Sequence, residues 1–260
     1  MTWIENHWQQ LRFNRLDFER KYVVDQVLSQ KPRSQVFLTR RRGSRQQTIM
    51  KLIERTAANP QEVECLRSLK HPGIARYLGH GVTRDRRQWM EMEYIDGIPL
   101  SAWLDEQSRF KGKAGNAPDR GQAKAIFLQL VSVVQYLHCC GWIHGDLSPQ
   151  NILISAGDRG VVLIDFEHAC SSDISNVKTM PRKHSLSYAS PHEEAGGATT
   201  EACEQYSLGK IGFMMLAPFV DQVGQKLQAV LVRATSANPE DRYPNLFAFA
   251  GEIENAVSKI

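Results

Sequence analysis

The chain has 260 residues, with 32 Lys and Arg against 28 Asp and Glu and a net charge of +4. That length allows one large domain or two lobes, and so small a charge excess gives no electrostatic case for nucleic acid as a partner. The longest apolar stretch, "IGFMMLAPFV", falls well short of the ~20 residues of a membrane-spanning helix, and the N-terminus has an early acid and no apolar h-region, so it does not read as a secretory signal.

Residues 1–21 carry Trp3, Ile4, Trp8, Leu11 and Phe13 on or near one side and are predicted as a helical extension. Short strands follow: "YVVDQVL", "SQVFLTR" and "QTIMKLI", then "ARYLGHG" and "QWMEMEYI". A helix from Pro60 to about Leu69, ended by "KHPG", separates the third strand from the fourth. After "DGIPL" the character changes. "LSAWLDEQ" and "QAKAIFLQLVSVVQYLHCCG" predict helices, the second apolar on more than one face and therefore central. The Gly-, Pro- and charge-rich "RFKGKAGNAPDRG" between them predicts a loop. "NILIS" and "VVLIDF" predict two further strands, a polar loop covers 169–190, and helices run to the end. The pattern is α+β and two-lobed: a small β-rich lobe at 22–95, a hinge near 93–98 and a larger helical lobe at 96–260. The five cysteines (Cys65, Cys139, Cys140, Cys170 and Cys203) are odd in number and scattered, and read as buried thiols in a reducing, cytoplasmic compartment.

Four stretches carry chemistry. Lys51 stands in an alternating strand and shares a face with Ile49 and Ile53; a lysine so placed ordinarily reaches to solvent at a sheet edge. Glu62 opens a helical run, where an acid suits the helix dipole. Asp165 ends the apolar strand "VVLI", and burying such an acid unpaired is expensive. In "IHGDLSPQNILI", Asp146 and Asn151 flank a turn that leads into the neighbouring strand, although a plain turn needs only Gly, Pro or Ser. Asn151 and Asp165 can converge on one hard cation with Asp146 beside them, a donor set that suits Mg²⁺ shared with phosphate oxygens.

These stretches, in order from about Tyr22 onward, resemble the eukaryotic-type protein kinase superfamily. "TIMK" resembles V-A-I-K; Glu62, nine residues before "HPGI", stands where the lysine's acidic partner is expected; "MEYIDG" resembles the hinge, with Met92 as gatekeeper. "HGDLSPQN" resembles H-R-D-x-x-x-x-N, "DFE" resembles D-F-G, "YASPHE" the A-P-E region, "EQYSLG" the helix motif D-x-W-S-L-G, and "NPEDRYPN" the motif D-P-x-x-R-x-T. The resemblance implies a two-lobed kinase fold and phosphoryl transfer from ATP with Mg²⁺. Lys51, oriented by Glu62, holds the α and β phosphates; Asn151 and Asp165 carry the metal; Asp146 receives the proton of the attacking hydroxyl. Val36, Ile49 and Leu153 sandwich the base, while the Glu93 carbonyl and Ile95 N–H read its edge. His144 and Phe166 brace the loop from the core.

Departures from the family pattern shape the expectation. The phosphate loop "LSQKPRSQV" has Ser29, Lys31 and Ser34 at its three glycine positions, which leaves Lys31 and Arg33 to supply charge. Ile49 narrows the adenine slot. Gly145 replaces the arginine that meets a phosphorylated activation loop, so that switch is not expected. Ser148 replaces the lysine used on the γ-phosphate, and Glu167 replaces the glycine of D-F-G. Glu204 stands for the aspartate of the D-x-W-S-L-G helix, and His192 falls at the A-P-E glutamate, with Glu193 as substitute partner for Arg242. Three readings stay open: a compact bacterial or effector-like Ser/Thr protein kinase, the latter delivered into a host cell; a small-molecule kinase of the aminoglycoside or choline type; and a pseudokinase acting as a binding module. The joint presence of Lys51, Glu62, Asp146, Asn151 and Asp165 favours activity, and the Ser-rich, basic loop before Tyr188 favours a protein substrate.

Overall fold

The computed structural model describes residues 21–83, 85–109, 120–173, 187–216 and 220–257. The predicted helix at the N-terminus and most of the loops predicted at 109–121 and 169–190 lie outside the described residues. The described residues form two compact units, one built from those up to Val63 with those of Ala75–Tyr94, the other from Glu64–Ile74 with those from Ile95 onward.

The first unit is a five-stranded antiparallel sheet in the order β1-β2-β3-β5-β4, made of β1 (Tyr22–Gln30), β2 (Ser34–Arg41), β3 (Gln47–Ile53), β4 (Tyr77–Val82) and β5 (Gln88–Glu93). Branched and aromatic residues at two-residue spacing suit these strands. Phe37, Met50 and Leu52 are buried on one face, with Tyr22, Val24, Val27 and Trp89 packed against them. Each such buried side chain contributes roughly 1.5–3 kcal/mol. Because β3 is central, Lys51 has Val36 across from it on one side and Met90 on the other. It is 3% exposed, so it does not reach to solvent as an edge lysine would.

The same sheet buries Glu91, which accepts hydrogen bonds from Tyr22 Oη at 2.9 Å and Arg41 Nη2 at 2.7 Å. Burial, then the neighbouring Glu91, pushes the Tyr22 hydroxyl up to about 12. Burial opposes the Glu91 charge, but the Arg41 and Tyr22 hydrogen bonds prevail and hold its carboxyl below the ordinary value. The raised tyrosine stabilises the fold below about pH 10, its unfolded value, and that contribution is lost as pH climbs toward 12. The depressed carboxylate stabilises the fold above its unfolded value and loses that contribution as pH falls through the lower folded one. Urea denaturation across pH is therefore expected to show weakening at both ends. In Tyr22→Phe the alkaline limb should flatten; an unchanged limb would assign it to another group.

Segment 64–74, predicted in the first lobe, belongs to the second unit because its backbone is satisfied there. Leu163 N–H donates to Gly73 O at 2.8 Å, Ile74 forms a parallel bridge to Leu163, and Arg159 Nε donates to Pro72 O at 3.0 Å. The helix α1 (Pro60–Ser68) starts at Asn59, whose side chain accepts from Gln61 N–H, and carries Glu62 in its first turn.

Helices α2 (Leu100–Arg109) and α3 (Arg120–Cys139) open the rest of the second unit. On α3, Ala123, Phe127, Leu130, Val134 and Leu137 are buried at helical spacing, with Val131 and Val133 widening the stripe. The helix is central, as its apolar faces require: α5 (Glu201–Leu216) and α7 (Leu246–Val257) pack on it, and α6 (Val220–Ala234) packs on both of these. A short helix, α4 (Pro191–Glu194), precedes α5. Two small sheets sit beside α3: β6 (Gly97–Pro99), β8 (Ile152–Ser155) and β9 (Val161–Leu163) in the order β6-β8-β9, and β7 (Trp142–Ile143) with β10 (Cys170–Ser171). They hold the segment 144–151 between β7 and β8. Cys65, Cys170 and Cys203 are buried, but Cys139 and Cys140 are exposed, contrary to expectation, because α3 ends there at the surface. No helix among the described residues is long and apolar enough to cross a membrane.

Candidate active site

In the first unit, Lys51 Nζ lies 2.8 Å from Glu62 Oε1, with side-chain exposures of 4% and 2%. The central strand and the first helical turn thus deliver a desolvated cation to a buried carboxylate. Val36, half-buried, pairs across from Lys51, and half-buried Ile49 pairs with Met92. Glu93 pairs with Thr48, and its N–H donates to Arg76 O at 2.9 Å. In the second unit Ile95 is buried, and half-buried Leu153 pairs with Val162 and Pro99.

The loop from His144 to Asn151 is closely braced. His144 Nδ1 accepts from Asp146 N–H at 3.3 Å, so its other nitrogen, Nε2, is the one that donates to Ile164 O at 3.0 Å. The imidazole is fully buried with its ring 4.7 Å from that of Phe166, which makes it a brace and leaves it no route to a substrate. Asn151 gives its carboxamide hydrogens to Asp146, reaching the carbonyl at 2.9 Å and Oδ2 at 3.0 Å. Its Oδ1 is left as the acceptor able to face a cation. Ile164 N–H donates to Asn151 O at 3.0 Å, which ties the loop to the residue before Asp165.

Asp165 has φ 60 and ψ 71, one of two described non-glycine residues with positive φ. Such backbone is rare away from glycine and is held by its surroundings, here the β9 strand and the 3-10 turn Phe166–His168. Glu167 sits inside that turn at ordinary φ, which is why the D-F-G glycine can be absent. A carboxylate and an amide oxygen fit Mg²⁺, which keeps several waters and takes few protein ligands.

Gly145 has φ 78, backbone that a side chain would strain. Its N–H donates to Glu204 Oε1 at 2.8 Å, while Glu204 Oε2 lies 2.7 Å from His138 Nε2. One buried carboxylate on α5 thus fixes both the loop and the end of α3. His138 escaped the sequence reading: a lone histidine on an apolar helix carries no signal when its partner is 66 residues away. Ser148 is 1% exposed, and its Oγ has no hydrogen-bond partner among the described residues, so it cannot stand in for a phosphate-facing lysine. Contrary to expectation, Glu193 and Arg242 make no contact ion pair, although the carboxylate still favours the guanidinium charge from a distance. Glu193 is taken up by a capping box with Ser190, and the Arg242 guanidinium donates to the carbonyls of Ser236, Ala202 and Ala237.

Comparison with known proteins agrees with this arrangement. The protein kinase domain family matches residues 22–246. The chain is 26% identical over 208 residues to serine/threonine-protein kinase Pkn1 of Myxococcus xanthus, covering 66% of this chain and 28% of that protein. It is 26% identical over 226 residues to the probable serine/threonine-protein kinase PknB of Lactococcus lactis, covering 76% and 34%. The chain therefore spans about a third of the length of these curated relatives. Among solved structures, the PknI kinase domain of Mycobacterium tuberculosis aligns with TM-score 0.68 at 23% identity, covering 91% of this chain and 96% of that one. The Cydia pomonella granulovirus kinase PK-1 aligns with TM-score 0.71 at 15% identity, covering 97% of each. The matched span takes in every residue from Lys51 to Arg242 discussed above, and the chain belongs to the protein kinase family of phosphotransferases.

Proposed function

We propose that the chain transfers the γ-phosphoryl group of Mg·ATP to a Ser or Thr hydroxyl of a protein. The observation that carries this reading is the Asn151 carboxamide, which orients the Asp146 carboxylate and keeps its own oxygen available. Asp146 would accept the proton of the attacking hydroxyl. Lys51, held by Glu62, would bind phosphate oxygens, and Asn151 and Asp165 would hold the metal. Magnesium, when bound, neutralises charge that develops on the phosphate oxygens. Val36, Ile49 and Leu153 would enclose the base, and the Glu93 carbonyl and Ile95 N–H would read its edge. The similarity to a serine/threonine-protein kinase of Myxococcus and a probable one of Lactococcus favours a protein acceptor over a small-molecule one. It lends no support to an effector-like form. On its free thiols we place the chain in a reducing compartment, the cytoplasm.

Transfer of label from γ-labelled ATP to proteins of a lysate, in the presence of magnesium, tests the acceptor class; label found only in small molecules would overturn it. Asp165→Asn tests the metal. Asparagine tolerates the left-handed backbone, so the variant removes charge and keeps the geometry. It is expected to abolish the magnesium-dependent part of the thermal shift that ATP produces. A wild-type shift would mean that the ion is held without Asp165.

A further inference from the structure

The loop that should cradle phosphate keeps one free backbone donor at its tip. Between β1 and β2 the chain turns in two residues, Pro32 and Arg33. Lys31 N–H donates to Ser34 O at 2.9 Å and Ser34 N–H to Lys31 O at 3.4 Å. Pro32 has no N–H, and Arg33 O accepts from Glu54 N–H at 3.0 Å. Arg33 N–H is the single amide left at the tip. No residue of the turn has positive φ, so its amides do not form the alternating-handed nest that binds anions.

Charge stands where the amides are missing. Lys31 and Arg33 are exposed, and neither makes an ion pair with a described residue, although the amide of Glu54 donates to Arg33 O. The register places them well. Val36 pairs with Lys51 and Ser34 with Ile53, so Ser34 and Val36 lie on the face that carries Lys51. Ser34 stands about 7 Å along the strand from Val36, and the two cations follow at the tip.

We propose that the side chains of Lys31 and Arg33 hold the β- and γ-phosphates of the nucleotide in place of backbone amides. The proposal rests on the phosphotransferase reading above. Recognition by two mobile cations responds to phosphate charge more than to phosphate geometry, and salt screens it.

The test compares ATP and adenosine affinities of the wild-type chain, Lys31→Ala, Arg33→Ala and the double variant, at low and several-fold higher salt, by displacement of a fluorescent ATP analogue. Each substitution is expected to weaken ATP binding about tenfold, as loss of a charge-assisted hydrogen bond does. Adenosine affinity and melting temperature should not change, the salt dependence should flatten in the double variant, and Lys31→Arg with Arg33→Lys should retain most of the affinity. A double variant that binds ATP as the wild type does, with the same salt dependence, overturns the inference and leaves the phosphotransferase reading standing. Equal loss of ATP and adenosine binding also overturns it, since that would be general damage to the site. A wild-type chain that binds neither ligand overturns both readings together.

Discussion

Asp146→Asn is expected to lower single-turnover phosphoryl transfer by about 10²- to 10⁴-fold, the usual worth of a positioned proton acceptor, with ATP affinity nearly unchanged. Asparagine is almost the same shape and keeps an oxygen for the Asn151 carboxamide, which reaches Asp146 Oδ2 at 3.0 Å. What it removes is the negative charge that draws the proton. Asn151→Ala should behave differently, weakening Mg·ATP binding and rate together, because it removes the oxygen proposed to hold the metal and both hydrogen bonds to Asp146. If the turn were only structural, both variants would lose melting temperature and keep a normal rate in their folded fraction. That outcome, read from single-turnover kinetics beside thermal melts, would end the catalytic assignment of Asp146.

The largest effect on stability is expected at Glu62. Glu62→Ala removes the carboxylate 2.8 Å from Lys51 and leaves a cation whose side chain is 4% exposed without that partner. Breaking one side of a buried ion pair typically costs about 3–5 kcal/mol. The double variant Lys51→Met/Glu62→Leu should restore most of that loss, since an apolar pair of similar volume carries no desolvation penalty, while nucleotide affinity stays low. Urea denaturation of the three proteins decides the matter. Wild-type stability in Glu62→Ala would show that the pair is open in solution. Rescue by the apolar pair would show that the charges are kept for binding phosphate, at a cost to the fold.

The strands of the first unit were legible because alternation and branched residues report a half-buried sheet directly. The motif residues were legible because their spacing is short: Asp146 and Asn151 are five apart, and Lys51 and Glu62 eleven. Contacts closed over long stretches of chain were not. Nothing near His138 or Gly145 announces Glu204, and nothing near Tyr22 announces Glu91. In the sequence Glu193 suggests an ion-pair partner because an acid next to the motif position is a natural candidate. Its local capping box with Ser190 wins because it needs no distant partner to be brought into register. By position segment 64–74 goes with the strands around it, yet its carbonyls are satisfied by Leu163 and Arg159, nearly ninety residues on. Cys139 and Cys140 followed the apolar character of their helix, which fails in the last turn of any helix that ends at a surface.

The two-residue turn at Pro32–Arg33 also bears on motion. A glycine-rich loop samples many conformations when empty and surrenders that freedom when it closes over phosphate. Here proline fixes one backbone angle, and two reciprocal hydrogen bonds hold the tip in one shape. The ordering entropy is met when the chain folds, so little is left to lose on nucleotide arrival. What stays mobile is the pair of long basic side chains. Nucleotide capture and release should then follow side-chain rearrangement, on the scale of nanoseconds or less, with no backbone flap to open.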